Sequence, residues 1–177
     1  MSRSSLHDLY VDGLRDLYHA EGQLAKVLPR LAKAADAKEL RAAFDGHLAV
    51  TRAQVERLDK IFAGLGEKAT RRKSPLVDGL IEIAREAAGR DAPPAVRDAA
   101  LIGAGQRVAH FGMAEYECAR TYARLLGHEE AADLLQECLD EEAEADVRLT
   151  ELAQTVILIE AEDDEDEPVA KKKAAKR

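Results

Sequence analysis

Acidic and imidazole side chains fall on the apolar stripes of several amphipathic segments, where leucine would be expected. The candidates are Glu21, His47, Glu115 and Glu142, with Asp146 one helical turn beyond Glu142. A buried charge without a partner costs several kcal/mol, so such groups need a compensating partner. Carboxylates combined with one or two imidazoles are a donor set that suits iron or manganese. These five residues together predict a metal centre inside the protein.

A metal-free interpretation of the same residues stays open. A glutamate on a helical stripe often packs its aliphatic stem and keeps its carboxylate in water. A single inward histidine is more often hydrogen-bonded within a core than bound to a metal. His7 and His19 fall off the apolar stripes, and Cys118 and Cys138 fall on helical patterns that predict small buried residues. The hypotheses are therefore a metal site and a structural bundle without metal.

Helical periodicity predicts four long helices and one short helix to carry these residues. Ser4 or Ser5 can cap the first helix, and Asp36 can cap the second. The short helix is expected from about residue 76 to 88, the fourth up to about 126, and the last from about 129 to 159. The long connection between the second and fourth helices fits a crossover. The predicted fold class is therefore all-α, a ferritin-like four-helix bundle with a long crossover carrying a short extra helix.

Composition supports this class and excludes others. The chain has 177 residues, of which 46% are hydrophobic and only 4% aromatic, and β-branched residues are scattered. Its formal net charge of −8 makes the body a poor surface for nucleic acid. The first residues lack the apolar segment of a signal peptide, and no run approaches the length of a membrane span. We therefore expect a cytoplasmic protein.

The C-terminal residues differ in composition from the rest of the chain. Residues 160–167 read "EAEDDEDE" and residues 171–177 read "KKKAAKR". Opposed charge blocks without apolar residues are typical of disordered segments. The predicted organisation is thus a helical bundle over residues 1–159 and a disordered acidic-then-basic tail over residues 160–177. The basic end could bind nucleic acid weakly.

Several motifs together resemble the YciE/YciF-type stress proteins of the ferritin-like superfamily. They include "LYHAEGQLAKVLPRLAKAA", "HLAVTRAQVERLDKIFAGLG" and "LLQECLDEEAEADVRLTELA", in the family's order, and the resemblance spans about residues 4–156. It implies a ferritin-like bundle, usually dimeric, with a di-iron or di-manganese type centre. It leaves open whether the protein is an enzyme, although a redox role toward peroxide or oxygen would follow from such a centre.

The resemblance also implies particular metal ligands. Glu21 matches the family's first-helix glutamate, His47 its second-helix histidine, and Glu142 and Asp146 its acidic positions in the last helix. The fourth helix departs from the family pattern, because Ala109 and Gly112 stand where the family carries glutamates. Two further positions depart as well, with Phe44 and Ala145 in place of a glutamate and a histidine. Glu115, one turn beyond Gly112, is the nearby substitute, so we expect a leaner site than that of a ferritin.

Overall fold

Five α-helices make up the fold in the computed structural model, which describes residues 5–154. They are α1 (Leu6–Ala34), α2 (Lys38–Leu65), α3 (Pro75–Ala88), α4 (Pro94–Leu125) and α5 (Glu129–Leu152). Four are long, α3 is short, and no strand occurs in residues 5–154. The predicted fold class and helix order are therefore confirmed.

Local sequence signals determine most of the helix ends. The Ser5 hydroxyl accepts a hydrogen bond from the Asp8 backbone N–H, while the Asp8 carboxylate accepts one from the Ser5 N–H, which completes a capping box. Pro94 occupies the first turn of α4, where a missing N–H costs nothing. Gly66 and Gly127 follow α2 and α4 with φ of 67° and 78°, a left-handed conformation that glycine adopts without strain.

The start of α2 is held by another helix and not by its own sequence. Its N-cap residue, Ala37, makes no side-chain cap. The buried Asp98 carboxylate of α4 instead accepts hydrogen bonds from the backbone N–H groups of Asp36 and Ala37, at 2.7–3.1 Å. The prediction that Asp36 caps α2 is therefore wrong. The same contact shows that α2 and α4 begin at the same end of the molecule.

The four long helices form the bundle and the crossover runs along one side of it. Helix α1 packs against α2 and α4, and α5 packs against the same two helices. The connection between α2 and α4 carries α3, which packs on α1 and α4. Its buried face uses Val77 and Ile81, whereas Ile83 is 40% exposed. The crossover thus covers the seam between α1 and α4.

Two apolar clusters fill the bundle, and a polar layer separates them. In α1, for example, Leu17 belongs to one cluster and Leu24 to the other, and Glu21 lies between. In α5, Cys138 and Leu149 flank Glu142 in the same way. Each long helix contributes residues to both clusters, so the interruption falls at one level of the bundle.

The two cysteines differ in their exposure to solvent. Cys138 is buried as predicted, but Cys118 is exposed, so that part of the prediction is wrong. The predicted boundary at residue 159 and the charged blocks lie outside the described residues. None of the helices within residues 5–154 is long and apolar enough to cross a membrane.

Candidate functional site

The polar layer contains two carboxylates almost completely removed from solvent. Glu21 of α1 is 3% exposed and Glu142 of α5 is 1% exposed. Thr51 and Gln54 of α2 and Tyr116 of α4 are fully buried around them. All four long helices therefore supply a buried polar side chain at this level, although the fully buried ones of α2 and α4 differ from the predicted His47 and Glu115.

Each carboxylate uses one oxygen atom in a hydrogen bond within the layer. The Tyr116 hydroxyl donates to Glu21 Oε1 at 2.8 Å, and the Gln54 amide donates to Glu142 Oε1 at 3.0 Å. The other oxygen of each carboxylate has no hydrogen-bond partner among the described residues. The same holds for Gln54 Oε1 and Thr51 Oγ1. Unpaired buried acceptors are rare in proteins, so this cluster needs an explanation.

A cavity of about 20 Å³ lies against both carboxylates. Glu21, Glu142 and Gly112 line it together with apolar side chains of α1, α3 and α4. A Cβ atom at position 112 would lie 3.2 Å from Glu142 Oε2 and 3.1 Å from its Cγ. Glycine therefore leaves room for the carboxylate, and the remaining space fits a single water-sized occupant.

Burial changes the protonation of both acids. Burial raises the pKa of Glu142 to about 7, although the hydrogen bond from Gln54 opposes the change. The pKa of Glu21 is raised well above its ordinary value by burial and by the neighbouring Glu142 charge, against the effect of Tyr116. Two uncompensated negative charges are therefore unfavourable here, and either protons or a cation must balance them.

His47 approaches the layer from its solvent side. Its side chain is 15% exposed, and its Nε2 atom lies 3.7 Å from Glu142 Oε1, too far for a hydrogen bond. Burial lowers the pKa of His47 to about 4, so the ring is neutral at physiological pH. The structure thus places three of the five predicted residues, Glu21, His47 and Glu142, near one another.

Glu115 does not reach the polar layer. It is half-buried, and its pKa is raised by burial and by Asp16, with Arg72 opposing. The buried face of α4 at this level contains Gly112, Tyr116 and Ala119, one residue away from the face that would carry Glu115. The prediction that Glu115 points into the core is therefore wrong. One residue is about 100° of helix rotation, which moves Glu115 toward α1 and the 66–74 loop.

Two further histidines have carboxylate partners outside the layer. Asp146 Oδ2 lies 3.1 Å from Nε2 of His110, a residue that is 62% exposed, so Asp146 faces the edge of the bundle. His19, predicted to lie off the apolar stripe, is buried at 7% exposure, with its Nε2 atom 3.4 Å from Asp78 Oδ1 of α3. The position of α3 over α1 causes this burial, which the periodicity of α1 alone does not indicate.

Tyr116 is the layer residue that sequence reasoning missed. Tyr116 follows Gly112 by four residues and Ala109 by seven, a spacing that places all three on one face of a helix. The spacing therefore indicates that Tyr116 is buried once the inward face of α4 is known. Within residues 5–154, no group of three or more His, Cys, Asp or Glu side chains is arranged to hold a metal ion. Any cation in the layer would therefore combine the two carboxylates with neutral oxygen donors.

The bundle, its crossover helix and its buried acid pair define a ferritin-like helical-bundle protein. The chain belongs to the family described as "Domain of unknown function (DUF892)", which matches residues 5–162. Protein YciF of Escherichia coli K12 is 40% identical over 154 residues, covering 86% of this chain and 93% of the relative.

Solved structures support the same assignment. The crystal structure of the E. coli stress protein YciF superposes with a TM-score of 0.82 at 40% identity, covering 85% of this chain and 96% of the other. YcfI of Rhodopseudomonas palustris gives a TM-score of 0.81 at 38% identity, covering 85% and 97%. A Xanthomonas campestris protein with 17% identity gives 0.70, covering 91% of this chain and 99% of the other, which shows the fold alone.

Proposed function

We propose that this chain is a cytoplasmic stress-response protein that binds one divalent cation, iron or manganese, in its buried polar layer. The observation that carries the proposal is the cavity that Glu21 and Glu142 line, beside carboxylates that each have an unpaired oxygen. A cation there would compensate two acids that burial otherwise forces to take up protons. The description of the E. coli relative YciF as a stress protein supports the physiological part.

The residues fit one cation and not the two-metal centre that the family resemblance implies. Glu21 and Glu142 would supply charged oxygens, and the unpaired Gln54 Oε1 is a neutral oxygen donor in the same layer. Ala109 and Gly112 contribute no ligand atoms, and the cavity has room for a single small occupant. A bound iron or manganese ion would supply redox chemistry. The protein's own residues would exclude water and hold the carboxylates in place.

Metal content and metal affinity test the proposal. The full chain, purified without chelator, is expected to bind about one equivalent of Mn²⁺, measured by isothermal titration calorimetry and elemental analysis. Glu21→Gln and Glu142→Gln are nearly isosteric and should each abolish this binding. Glu144→Gln removes an exposed acid from the same helix and should leave it unchanged. Equal Mn²⁺ binding by all four proteins would refute the site.

A metal-free structural bundle is the second candidate. It is favoured by the absence, within the described ranges, of three clustered acidic, histidine or cysteine ligands. It is also favoured by the raised pKa of both acids, because protonated carboxyl groups need no cation. The relative YcfI is provisionally described as a structural protein. Folding stability unchanged by Mn²⁺ at several pH values would support this candidate over the first.

We also propose that the chain forms a homodimer, as its family resemblance implies. Sedimentation equilibrium of the full chain should give twice the mass of one chain. A mass of one chain over the micromolar range would contradict this part of the proposal without affecting the metal site.

A further inference from the structure

A second, larger cavity lies between α2 and α5, on the solvent side of the polar layer. Its volume is about 550 Å³, within the range of small-molecule sites. Most of its wall is apolar and comes from α1, α2, α4 and α5. The larger apolar side chains include Leu24, Leu28, Leu31, Phe44, Val108 and Leu149. We refer to it as the α2–α5 cleft.

One imidazole ring and four charged side chains interrupt this apolar wall. His47 lines the cleft, and its Nε2 atom lies 3.7 Å from Glu142 Oε1. Leu24 and Val108 line both the cleft and the small cavity beside the acid pair. A molecule in the cleft would therefore have its inner end next to the polar layer, with His47 as its polar contact.

The charges around the cleft disfavour an anionic ligand. Glu141, Glu144 and Glu151 line it, against a single guanidinium, Arg148. Arg57 pairs with Glu141 at 2.8 Å, and Arg148 lies 3.7 Å from Glu151, so these two acids are compensated. Among the described wall residues, three carboxylates face one exposed guanidinium, which disfavours a carboxylate or a phosphate. Complementarity thus selects a ligand without negative charge.

We propose that the α2–α5 cleft binds a small, neutral and largely apolar ring molecule with one hydroxyl or carbonyl head that hydrogen-bonds to His47. Phenols and quinones are the chemical class. Size, apolar lining, a single inner hydrogen-bonding group and the acidic surroundings all match this class. The proposal does not depend on metal binding by the acid pair.

Three matched probes test the ligand class on the full chain: 1-naphthol, 1-naphthoate and 1-methylnaphthalene. By calorimetry, 1-naphthol should bind at least tenfold more tightly than the anion. 1-Naphthol should also bind about tenfold more tightly than 1-methylnaphthalene, because only 1-naphthol can form the hydrogen bond to His47. His47→Leu should remove the preference for 1-naphthol over 1-methylnaphthalene while leaving the binding of 1-methylnaphthalene intact. A merely structural role of His47 would weaken both probes equally and would overturn the assignment.

A glycine in the wall provides a second variant. A Cβ at Gly46 would meet nothing within 4 Å, so Gly46→Phe adds a ring to the wall of the cleft without a clash at its first side-chain atom. It should abolish binding of 1-naphthol. Gly64→Phe, at an exposed position of the same helix that is equally free of neighbours, should not.

Some outcomes would overturn the proposal. Unchanged binding of 1-naphthol to Gly46→Phe would place the site elsewhere, and equal binding of 1-naphthoate would refute the charge argument. A change of sedimentation mass on Gly46→Phe would show that a second copy covers the cleft. Retained binding by Glu21→Gln together with lost Mn²⁺ binding would separate this site from the metal site and support both.

Discussion

Tyr116 and Tyr10 are two buried tyrosines whose hydroxyl groups should affect folding stability in opposite directions. Both side chains are fully buried. The Tyr116 hydroxyl donates to Glu21, whereas the Tyr10 hydroxyl has no hydrogen-bond partner among the described residues. Burial raises the pKa of Tyr10 to about 12, which agrees with a phenol in apolar surroundings. The contribution of each hydroxyl to folding stability therefore depends on whether it has a hydrogen-bond partner, since both are buried.

Tyr116→Phe should destabilise the protein by about 1–3 kcal/mol, because Glu21 would lose its only hydrogen bond in the layer. The measurement is urea unfolding followed by circular dichroism. Tyr10→Phe is the matched control, and it should be neutral or slightly stabilising because the removed hydroxyl satisfies no partner. Equal losses from the two substitutions would show that Tyr116 acts through packing alone.

Replacing Gly112 by alanine should not give the gain in folding stability that alanine usually brings to a helix interior. In a helix interior, glycine to alanine ordinarily stabilises by about 0.5–1 kcal/mol. At Gly112 the new Cβ would lie 3.1–3.2 Å from the Glu142 side chain and would enter the small cavity. We expect Gly112→Ala to give no gain in stability and to weaken Mn²⁺ binding.

Gly64→Ala is the corresponding control, because its Cβ would meet nothing within 4 Å. It should show the ordinary gain in urea unfolding and unchanged Mn²⁺ binding. If Gly112→Ala gains as much stability as Gly64→Ala, the carboxylate of Glu142 does not need the space that glycine leaves.

The candidate site could be predicted from sequence only to the level of helix faces. Glu21, His47 and Glu142 are conspicuous because strong leucine patterns surround them. Helix α4 is rich in alanine and glycine, so its apolar pattern leaves the inward face uncertain by one residue. That single step exchanges Tyr116 for Glu115. The hydrogen bonds and the cavity depend on side-chain positions that no periodicity encodes.

At the scale of elements, the start of α2 depends on a residue 61 positions away along the chain. The Asp98 carboxylate is 1% exposed and accepts from two backbone N–H groups at the N-terminus of α2. These N–H groups have no partner within the helix, and the partial positive charge of the helix end favours an anion there. The sequence predicted the position of this helix start, but the local residue Asp36 was the wrong cap.

Asp98→Ala should cost about 1–2 kcal/mol, because it removes the shared acceptor of two partly buried N–H groups at the start of α2. Urea unfolding measures the loss, and a fluorescent or spin label near the start of α2 would report local fraying. Asp45→Ala removes an exposed acid from α2 and should change the stability by less than about 0.5 kcal/mol. An equally small effect at Asp98 would mean that water satisfies the helix end.

At the scale of the whole molecule, the polar layer divides one bundle into two apolar clusters. Number, order and approximate ends of the helices could be predicted, because apolar periodicity and turn residues act locally. The burial of His19 could not, because it depends on where the crossover helix docks. Protonation of the acids in the polar layer is linked to the free energy of unfolding, so the stability of the whole bundle should depend on pH.

The stability of the metal-free protein should fall as pH rises above neutrality. The folded-state pKa of Glu142 is about 7 and that of Glu21 is also raised, so the folded protein binds more protons than the unfolded chain above pH 4.5. The stability that the two acids contribute is complete below their pKa in the unfolded chain, and it is lost as pH rises through their pKa in the folded protein. The pH dependence due to His47 has the opposite sign. Its folded pKa of about 4 lies below the ordinary 6.5, so its contribution is lost as pH falls from 6.5 toward 4.

Above pH 6.5 only the two acids contribute among these three groups, so the sign there is unambiguous. Urea unfolding with chelator at pH 6.5, 7.5 and 8.5 should show a loss of up to about 1.4 kcal/mol per pH unit for each acid that titrates. Glu142→Gln should reduce the loss of stability per pH unit, because the amide cannot ionise, whereas Glu144→Gln should leave it unchanged. Saturating Mn²⁺ should abolish the slope of stability against pH, because metal-bound carboxylates and the carboxylates of the unfolded chain are then both free of protons. A flat profile in the metal-free wild type would show that the buried acids are ionised at neutral pH, and would contradict the electrostatic basis of the polar layer.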